Sequence, residues 1–383
     1  MNLPDTLSFW EKESFFSNID VAIIGSGIVG LNAALTIKET TPSVSVAIFE
    51  RGALPEGAST RNAGFACFGS LTELLDDLET MPESAVFDLV EKRFRGLKRL
   101  RERVGDDLLN YEALGGYEIF KHDEDKVFEK CADSLSYFNK NIQKIVGRDD
   151  TYHVVSKNFG FKNTHTQGIW NSAEGQINTG KMMVTLLDLC RNLGVRFFNG
   201  LTINGLSDSN NPTGVDIETS GGWVFTASKV IVATNGFARR LLPNLPVTPA
   251  RNQVLITKPI EGLELKGCFH YNKGYVYFRN VGNRILLGGG RNSDLTNEMT
   301  DSFGTTVIIQ NMLKSILHDI ILPEKKVEIE GWWSGILGIG SVKSPIVEFV
   351  SPNIVVAVRM GGMGVAIGSL VGEEAAHLIL DLL

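Results

Sequence analysis

The sequence has little of several features that define whole classes of protein. It holds four cysteines in 383 residues, and Cys67, Cys131, Cys190 and Cys268 lie far apart with no CxxC pair. This spacing argues against a disulfide framework and favours reduced, mostly buried thiols in a cytoplasmic protein. No uncharged apolar stretch reaches the ~18 residues of a transmembrane helix, and the N-terminus lacks the basic start and apolar run of a signal peptide.

Positive charge and metal-binding patterns are also scarce. The formal net charge is −7, whereas a protein that binds nucleic acid usually carries a strong positive field, so no nucleic-acid partner is expected. His153, His165, His270 and His318 do not share the spacing of metal ligands, and no metal site is predicted. The sequence also has no GxSxG nucleophile motif.

Glycine, in contrast, is abundant. The chain has 40 glycines against 12 prolines, which indicates tight turns and close approach of backbone to a ligand rather than linkers. Hydrophobic residues make up 43% of the chain, enough for a sizeable core, and the length favours two domains.

The first strong pattern is a strand, a glycine turn, a helix and a second strand that ends in an acid. Val21–Ile24 is a short apolar run typical of a buried parallel strand, Gly25–Gly30 is a GxGxxG turn, and Leu31–Glu39 is rich in alanine and leucine. Val44–Phe49 is the second strand, and Glu50 follows it. This is the context in which a GxGxxG turn binds a dinucleotide.

Each residue of this turn has a physical task. Gly25 permits the tight turn, Gly27 lets the backbone approach a pyrophosphate, and Gly30 permits close packing of the helix on the strand. The N–H groups at the start of the helix, from Ile28 onward, present partial positive charge to the phosphates. Glu50 can accept hydrogen bonds from ribose hydroxyls and would repel a 2′-phosphate, so NADP is disfavoured.

FAD fits the remaining glycine-bearing segments better than NAD. After Glu50 the chain does not continue with regular βα repeats but runs into the polar loop Gly57–Gly64. Two later apolar strands end in Thr234–Gly236 and Arg359–Gly364. Three distant segments suit a long, extended cofactor contacted from both ends of the chain. A purely NAD-dependent reductase stays open as an alternative.

Several segments together carry a resemblance to a known family, because their order and spacing are specific although each is weak alone. They are Val21–Gly30 with Glu50–Arg51, Gly57–Gly64, Glu174–Asn178, Val230–Ala238, Arg251–Val254 and Tyr275–Arg291. Over nearly its whole length the chain resembles the FAD-dependent D-amino acid oxidase superfamily. The resemblance is strongest to the branch of gamma-glutamylputrescine oxidase and glycine oxidase.

The resemblance implies an α/β fold in which a Rossmann-like FAD-binding domain is interleaved with a second, mixed-sheet α+β substrate domain. The expected FAD-binding domain comprises residues 1–82, 150–245 and 335–383, and the substrate domain residues 83–149 and 246–334. Within these domains we predict a helix near Val86–Val104, another over Glu124–Ile142, a third over Phe303–Leu317 and a last strand at Ile354–Val358.

The resemblance also implies which residues contact FAD. Backbone N–H groups of the turn before the C-terminal helix would stabilise negative charge that develops on the reduced flavin. Beyond the glycine turn and Glu50, the expected cofactor-binding residues are Arg51, Arg61, Asn62, Ile203, Thr234, Asn235, Gly236, Gly361, Gly362, Met363 and Gly364.

Two departures from the family bear on substrate and linkage. Glycine oxidase-like enzymes carry an Arg after a W-x-G motif that clamps the substrate carboxylate, whereas this chain has Leu337 there; Arg279, Arg291 or Arg359 could substitute. Sarcosine oxidase-like enzymes attach flavin to a Cys, which the stretch Ser341–Pro345 lacks. FAD is therefore expected to be non-covalent.

The implied activity is oxidation of an amine or amino-acid C–N bond by hydride transfer to flavin N5, followed by hydrolysis of the imine. The implied electron acceptor is O2 or another molecule. Tyr275, Tyr277 and Trp333 are candidate walls of the substrate pocket, and Arg291 and Arg359 are candidate charged residues in it. Oxidation of a hydroxy acid and a non-catalytic flavin-binding protein stay open as alternatives.

One strongly basic segment is left over. The run from Lys92 to Arg103 holds seven lysines or arginines on a predicted helix. A solvated helix face is one interpretation, and a patch that binds an anionic membrane surface or an acidic partner is the other.

Overall fold

The computed structural model describes residues 6–16, 18–208 and 214–382. The residues outside this description are 1–5, 17, 209–213 and 383. All of them belong to the predicted FAD-binding domain. None of the helices in the described part has the length and apolar character needed to cross a membrane. The four cysteines are free and buried, as the sequence predicts.

The strands form two large mixed sheets and one short pair. In chain order they are β1 (Ile19–Ile24), β2 (Val46–Glu50), β3 (Phe65–Ala66), β4 (Gly116–Ile119), β5 (Tyr152–Val155), β6 (Gly168–Asn171), β7 (Gly175–Gln176), β8 (Arg196–Asn199), β9 (Ile203–Asp208), β10 (Val215–Thr219), β11 (Val224–Val232), β12 (Thr248–Thr257), β13 (Cys268–Tyr271), β14 (Val276–Val281), β15 (Arg284–Gly289), β16 (Ile329–Ile339), β17 (Ile346–Ser351) and β18 (Ile354–Val358).

Helices cover the faces of both large sheets. In chain order they are α1 (Phe9–Glu11), α2 (Ile28–Thr40), α3 (Leu71–Thr80), α4 (Glu83–Val104), α5 (Asp106–Leu109), α6 (Asp125–Val146), α7 (Thr179–Asn192), α8 (Leu295–Glu298), α9 (Val307–Ser315) and α10 (Gly364–Leu380). The helix predicted from Phe303 begins four residues later, and after α9 the chain continues as a π-helical turn, Ile316–Ile321.

The first sheet is the Rossmann-like sheet that the sequence predicts. Its main path has the order β17-β18-β11-β1-β2-β8, and the five strands from β18 to β8 are parallel to their neighbours. The hairpin of β9 and β10 extends from β11. Parallel strands are buried on both faces, which explains the continuous apolar runs in β1, β2 and β18.

The second sheet has the order β16-β12-β15-β14-β13-β4-β6-β5 and is mostly antiparallel. Its apolar face packs against α9 and the π-helical turn around Phe269, Phe278 and Leu313. The two sheets take strands alternately from the chain, so the α/β fold with two interleaved parts is confirmed.

Sheet membership differs from the predicted domain division at two places. Strands β5 and β6, between residues 152 and 171, pair with β4 in the second sheet, although residues 150–245 are assigned to the FAD-binding domain. Helix α4, assigned to the substrate domain, packs its apolar stripe into the core beneath α2 and α10. The division into domains stays a prediction. If the packing defined the domains, β5 and β6 would belong to the substrate domain and α4 to the FAD-binding domain.

The basic run on α4 is neutralised within the protein. Every one of its seven cations lies within 4.0 Å of a carboxylate, as salt bridges require. The pairs are Lys92–Glu374, Arg93–Glu73, Arg95–Glu91, Lys98–Glu102, Arg99–Glu373, Arg101–Asp106 and Arg103–Glu39. This pairing favours an internally compensated helix over a free cationic patch, although the side chains of Arg93 and Arg103 are buried rather than solvated.

Candidate cofactor and substrate site

A long cavity lies at the carboxyl ends of β1, β2, β11 and β18. Its lining includes Gly25, Glu50, Thr234 and Gly362, which follow or end these four strands. Because β2 and β18 are separated by three strand spacings in the sheet, the segments after them are about 14 Å apart. The cavity, called here the dinucleotide cavity, is therefore shaped for an extended ligand.

The glycine turn has the geometry that the sequence predicts. Gly25 has a φ of +106°, and a Cβ there would lie 3.0 Å from the carbonyl oxygen of Ala233. A Cβ on Gly30 would overlap the carbonyl oxygen of Gly25, so the helix can approach the strand only with glycine here. Helix α2 begins at Ile28, within the predicted turn, and its first N–H donates to Ser59 Oγ at 2.9 Å.

Glu50 is buried at the end of β2 and is held by its neighbours. Its Oε2 accepts from the Ser26 hydroxyl at 2.7 Å and from the Ser26 N–H at 3.2 Å, and its Oε1 accepts from the Gly52 N–H at 3.0 Å. Ile203, at the start of β9, lines the same cavity. The carboxylate is thus fixed in orientation and still has acceptor capacity for a sugar hydroxyl.

Asn235 joins two of the predicted segments. Its side-chain oxygen accepts the N–H groups of Arg359 (3.1 Å) and Met360 (3.2 Å), so the turn after β11 is tied to the turn after β18. Next to it, a Cβ on Gly236 would collide with the carbonyl oxygen of Leu337 in β16. The glycine therefore lets the second sheet approach the Rossmann-like sheet, and Gly236 does not line the cavity.

Arg51, Arg61 and Asn62, which are expected to contact FAD, all lie in the segment that follows β2. Arg51 stacks on Phe237 with its guanidinium 3.9 Å from the ring centroid, and Arg61 stacks on Phe303 at 4.2 Å. Asn62 donates to the Ser59 carbonyl and accepts from the Gly64 N–H, which holds its own loop in shape. Arg51 and Asn62 line the dinucleotide cavity, whereas Arg61 lines the next one.

A second cavity, called here the substrate cavity, adjoins the first. Both are lined by Ala58, Asn62, Leu337, Gly362 and Val365, so the two spaces meet at the turn before α10. Gly361 and Met363 of that turn face the substrate cavity, while Gly364 lines the dinucleotide cavity.

Three of the predicted pocket residues line the substrate cavity: Tyr275, Tyr277 and Arg291. The Tyr277 hydroxyl accepts from Asn252 Nδ2 at 3.1 Å, and burial raises the pKa of Tyr277 above its ordinary value. Its phenol therefore stays neutral. The Arg291 guanidinium lies 5.7 Å from the centroid of the Tyr275 ring.

Most charges around this cavity are paired with a group of opposite sign, and the exceptions are Arg61 and Arg291. Although burial opposes it, Arg93 and Lys343 lower the pKa of Glu73 to about 2, so this carboxylate is ionised and compensated. Asp76 pairs with Lys273 at 3.1 Å. Among the described residues, no carboxylate pairs with either arginine. Arg61 donates to the carbonyl of Ser334 at 3.3 Å and stacks on Phe303, so Arg291 is the more available of the two to an anionic ligand.

Two predicted pocket residues do not line either cavity. Trp333 donates its Nε1–H to the carbonyl of Arg61 at 2.9 Å and supports the loop from behind. Arg359 has a φ of +68°, and its guanidinium donates to the carbonyls of Ser344 (2.8 Å) and Pro246 (3.1 Å). In this structure the two side chains instead hold the backbone around the cavities, and a role for either in the substrate pocket stays a prediction.

Arg279 is also unavailable as a carboxylate clamp, since it is buried and its guanidinium donates to the carbonyl of Ile177 at 2.9 Å. Other cavity residues carry no strong sequence signal. Phe237 and Arg240 line the dinucleotide cavity, and Cys67 and His270 line the substrate cavity. Phe237 and Arg240 follow the predicted Thr234–Gly236 turn within a few residues, whereas His270 lies inside an ordinary strand.

Comparison with known proteins agrees with this geometry. The family model described as FAD dependent oxidoreductase (DAO) matches residues 20–378, almost the whole chain. The chain belongs to this family. It is an FAD-dependent oxidoreductase, and the prediction of its family, its cofactor and its enzymatic nature is confirmed.

Relatives and solved structures fit the same assignment. The chain is 23% identical to "Probable oxidoreductase OrdL" of Haemophilus influenzae over 94% of this chain and 83% of that protein. Its fold is similar to glycine oxidase from Geobacillus kaustophilus (TM-score 0.73, 20% identity, 94% of each chain covered). It is also similar to iminodiacetate oxidase from Chelativorans (TM-score 0.74, 17% identity, 94% and 95% covered).

The residues of the dinucleotide cavity fit FAD. The hydroxyl of Thr234 is buried and has no hydrogen-bond partner among the described residues, which is the mark of a group that pairs with a ligand. The start of α2 supplies N–H groups for a pyrophosphate, and Glu50 supplies an acceptor for a ribose. At the other end of the cavity, the turn before α10 borders the substrate cavity, where the flavin ring would meet its substrate.

Proposed function

We propose that this protein oxidises the C–N bond of an amine or amino acid, with FAD held non-covalently. One observation carries the proposal: a second cavity with aromatic walls and a cation, Arg291, that pairs with no described carboxylate adjoins the dinucleotide cavity at Leu337 and Gly362. Similar folds named glycine oxidase and iminodiacetate oxidase support this substrate class.

The chain's own residues hold and orient the substrate. FAD, when bound, supplies the acceptor for the hydride that leaves the carbon bearing nitrogen, and water hydrolyses the resulting imine. Tyr277 and Tyr275 form an aromatic wall suited to an amine body. Low local dielectric strengthens the interactions that position the substrate against the ring. A general base is not required if the amine enters neutral.

The position of Leu337 argues for a particular form of substrate. Its side chain lies where the two cavities meet and cannot pair with a carboxylate, and an unpaired buried charge is strongly disfavoured. The available cation is Arg291. We therefore expect that a substrate carboxylate, where present, is distant from the reacting nitrogen and pairs with Arg291.

The proposed non-covalent attachment of FAD has support in the placement of the cysteines. Cys67 is 2% exposed and its sulfur lies 3.9 Å from the carbonyl oxygen of Gly175. Burial raises the pKa of its thiol, which disfavours the thiolate needed for attack on a flavin. Flavin should therefore be released by acid precipitation, and flavin retained in the pellet would contradict this expectation.

The test of the function is anaerobic reduction of the bound flavin, followed by its absorbance. The panel comprises glycine and D-alanine, long-chain amines, amino acids with a distal carboxylate, N-methyl amino acids, and hydroxy acids. We expect amines with a distal carboxylate to reduce the flavin fastest. Fastest reduction by glycine or D-alanine would contradict the substrate form, and reduction by hydroxy acids alone would contradict C–N oxidation.

The non-catalytic alternative has its own outcome in the same experiment. A flavin that responds to dithionite but to none of the panel compounds would favour a binding protein over an enzyme of this substrate class. Dithionite thus serves as the control that the flavin is accessible to reduction.

A further inference from the structure

Three potential metal ligands from distant parts of the chain meet at the substrate cavity, which Cys67 and His270 line and beside which Glu174 is buried. Cys67 follows β3, Glu174 precedes β7, and His270 lies in β13. One ligand atom of each residue lies within 4.8 Å of the other two. Among the described residues, no other group of three potential metal ligands has its ligand atoms this close together.

The hydrogen bonds of the cluster leave His270 Nε2 without a partner in the described part of the chain, whereas the Glu174 carboxylate accepts backbone N–H groups and interacts with the Cys67 thiol. Glu174 Oε1 accepts the N–H groups of Phe68 (2.8 Å) and Gly69 (3.2 Å), so one side of the carboxylate is satisfied. The other oxygen, Oε2, lies 3.9 Å from His270 Nε2. This separation is too long for a hydrogen bond, and His270 Nε2 is buried without a partner among the described residues.

We propose that Cys67, Glu174 and His270 bind one divalent transition-metal cation of the zinc type. Imidazole nitrogen, thiolate sulfur and carboxylate oxygen are the ligands that Zn²⁺ takes, at about 2.0–2.3 Å. Tetrahedral Zn²⁺ with bonds of this length holds its ligand atoms about 3.3–3.8 Å apart, so Glu174 Oε2 and His270 Nε2, which are 3.9 Å apart, reach such an ion after a small movement of the side chains. On binding, the Cys67 thiol releases its proton to solvent.

The surroundings of the cluster suit a metal site. Backbone N–H groups fix the orientation of Glu174, and the edge of the Phe65 ring packs on His270 with centroids 5.3 Å apart. Ligands that are held in place before binding raise metal affinity. Cys268 offers a further sulfur, because its Sγ and that of Cys67 both lie within 4 Å of the same carbonyl oxygen, that of Gly175.

The cavity provides the path by which an ion would enter. Cys67 and His270 both line the substrate cavity, which is open to solvent. A cation bound there would occupy the cavity wall, so we expect it to slow the proposed amine oxidation. That effect depends on the proposed function, whereas binding itself does not.

The experiment measures binding directly on the FAD-loaded, reduced protein. Zn²⁺ is titrated in competition with a chromogenic chelator, and Co²⁺ is used as a spectroscopic probe at wavelengths beyond the flavin absorption. We expect one ion per chain, with a thiolate-to-cobalt charge-transfer band. In His270→Ala and Cys67→Ser the affinity should fall at least tenfold, since even an outer partner of a metal ligand contributes about 10–100-fold.

Glu174→Gln supplies the variant that keeps the fold. Its amide oxygen can still accept the Phe68 and Gly69 N–H groups, but the anionic ligand is lost. Matched controls are His153→Ala and Cys131→Ser, which lie outside the cluster. Equal affinity in the wild-type protein and in Glu174→Gln and His270→Ala, or no saturable binding in the wild-type protein, would overturn the proposal. Flavin absorbance and melting temperature identify any variant that does not fold.

Discussion

The dinucleotide cavity and the substrate cavity are built in opposite ways. The first lies at the carboxyl ends of parallel strands, and each of the main contributing turns lies next to its strand in sequence. The second is lined by side chains such as Cys67 and His270, which come from segments about two hundred residues apart in the sequence. The first therefore depends on the local geometry of turns that follow strands, and the second on side chains that only the folded chain brings together.

The same difference extends to ionisable groups. In the dinucleotide cavity Glu50 has local backbone and hydroxyl partners. Around the substrate cavity and the layer behind it, burial raises the pKa of Glu174 and of Glu118 to about 7 and lowers that of His270 to about 4. The charge states of groups around the substrate cavity thus depend on tertiary packing. Substitutions in each cavity should therefore have different effects, on FAD binding in the first and on substrate or pH dependence in the second.

The largest effect is expected from Gly30→Ala. The new Cβ would overlap the carbonyl oxygen of Gly25, so the helix must move away from the glycine turn. We expect flavin to be lost on purification, with destabilisation of about 1–3 kcal/mol or more from overpacking. Flavin content and thermal unfolding measure both effects. The matched control is Gly180→Ala in the first turn of α7, where a Cβ meets nothing closer than 3.4 Å; equal flavin content in the two variants would contradict the prediction.

Next in size is the effect of Glu50→Gln on FAD affinity. A neutral amide weakens hydrogen bonds to Ser26 and to a ribose, and charge-assisted hydrogen bonds are worth about 1.5–3 kcal/mol, or one to two decades in affinity. Titration of the apoprotein with FAD measures the change. Glu56→Gln on the rim is the control, because Glu56 lies 3.8 Å from Arg51 at an exposed position. Unchanged affinity at matched stability would exclude Glu50 from the site.

Glu118→Gln tests the substrate side through pH. The carboxyl titrates near its ordinary value of 4.5 in the unfolded chain and near 7 in the folded protein, where burial disfavours its charge. Between these values the folded protein binds the extra proton, so the free energy of unfolding falls as the pH rises from about 4.5 to 7.

The variant should lack that fall in the free energy of unfolding, which is on the order of 2 kcal/mol. The difference in stability between the variant and the wild type should therefore shift in favour of the variant when the pH is raised from 5 to 8. Thermal unfolding of the FAD-loaded protein at the two pH values measures the difference. The exposed Glu79→Gln is the control. Parallel shifts of wild type and Glu118→Gln at both pH values would show that this carboxyl keeps its ordinary pKa.

The smallest effect is expected from Arg291→Gln, and it rests on the proposed function. Arg291 is partly exposed, so solvent screens its interactions and we expect a loss of about tenfold in kcat/KM for substrates with a distal carboxylate. Plain amines of the same length should react unchanged. Arg239→Gln, at an exposed position, is the control. Equal losses for both substrate types would show that Arg291 does not recognise a carboxylate.

The sequence by itself determined the dinucleotide side of this protein. The order of strand, Gly25–Gly30, helix and Glu50 identified the Rossmann-like unit because each of those constraints is local: a positive φ, a close approach and a helix start depend on residues within a few positions. Two later apolar strands that end in Thr234–Gly236 and Arg359–Gly364 extended the prediction, and Thr234, Asn235 and Gly362 of these turns line the dinucleotide cavity.

Only the tertiary structure decided the substrate side. Trp333 and Arg359 have residue types that suit a pocket, yet their side chains hold backbone carbonyls elsewhere. Conversely, no spacing in the sequence connects Cys67, Glu174 and His270, which the pairing of β3 with β7 and of β13 with β4 brings together. Side-chain direction and long-range strand pairing depend on the packing of the whole chain, so local patterns cannot determine them.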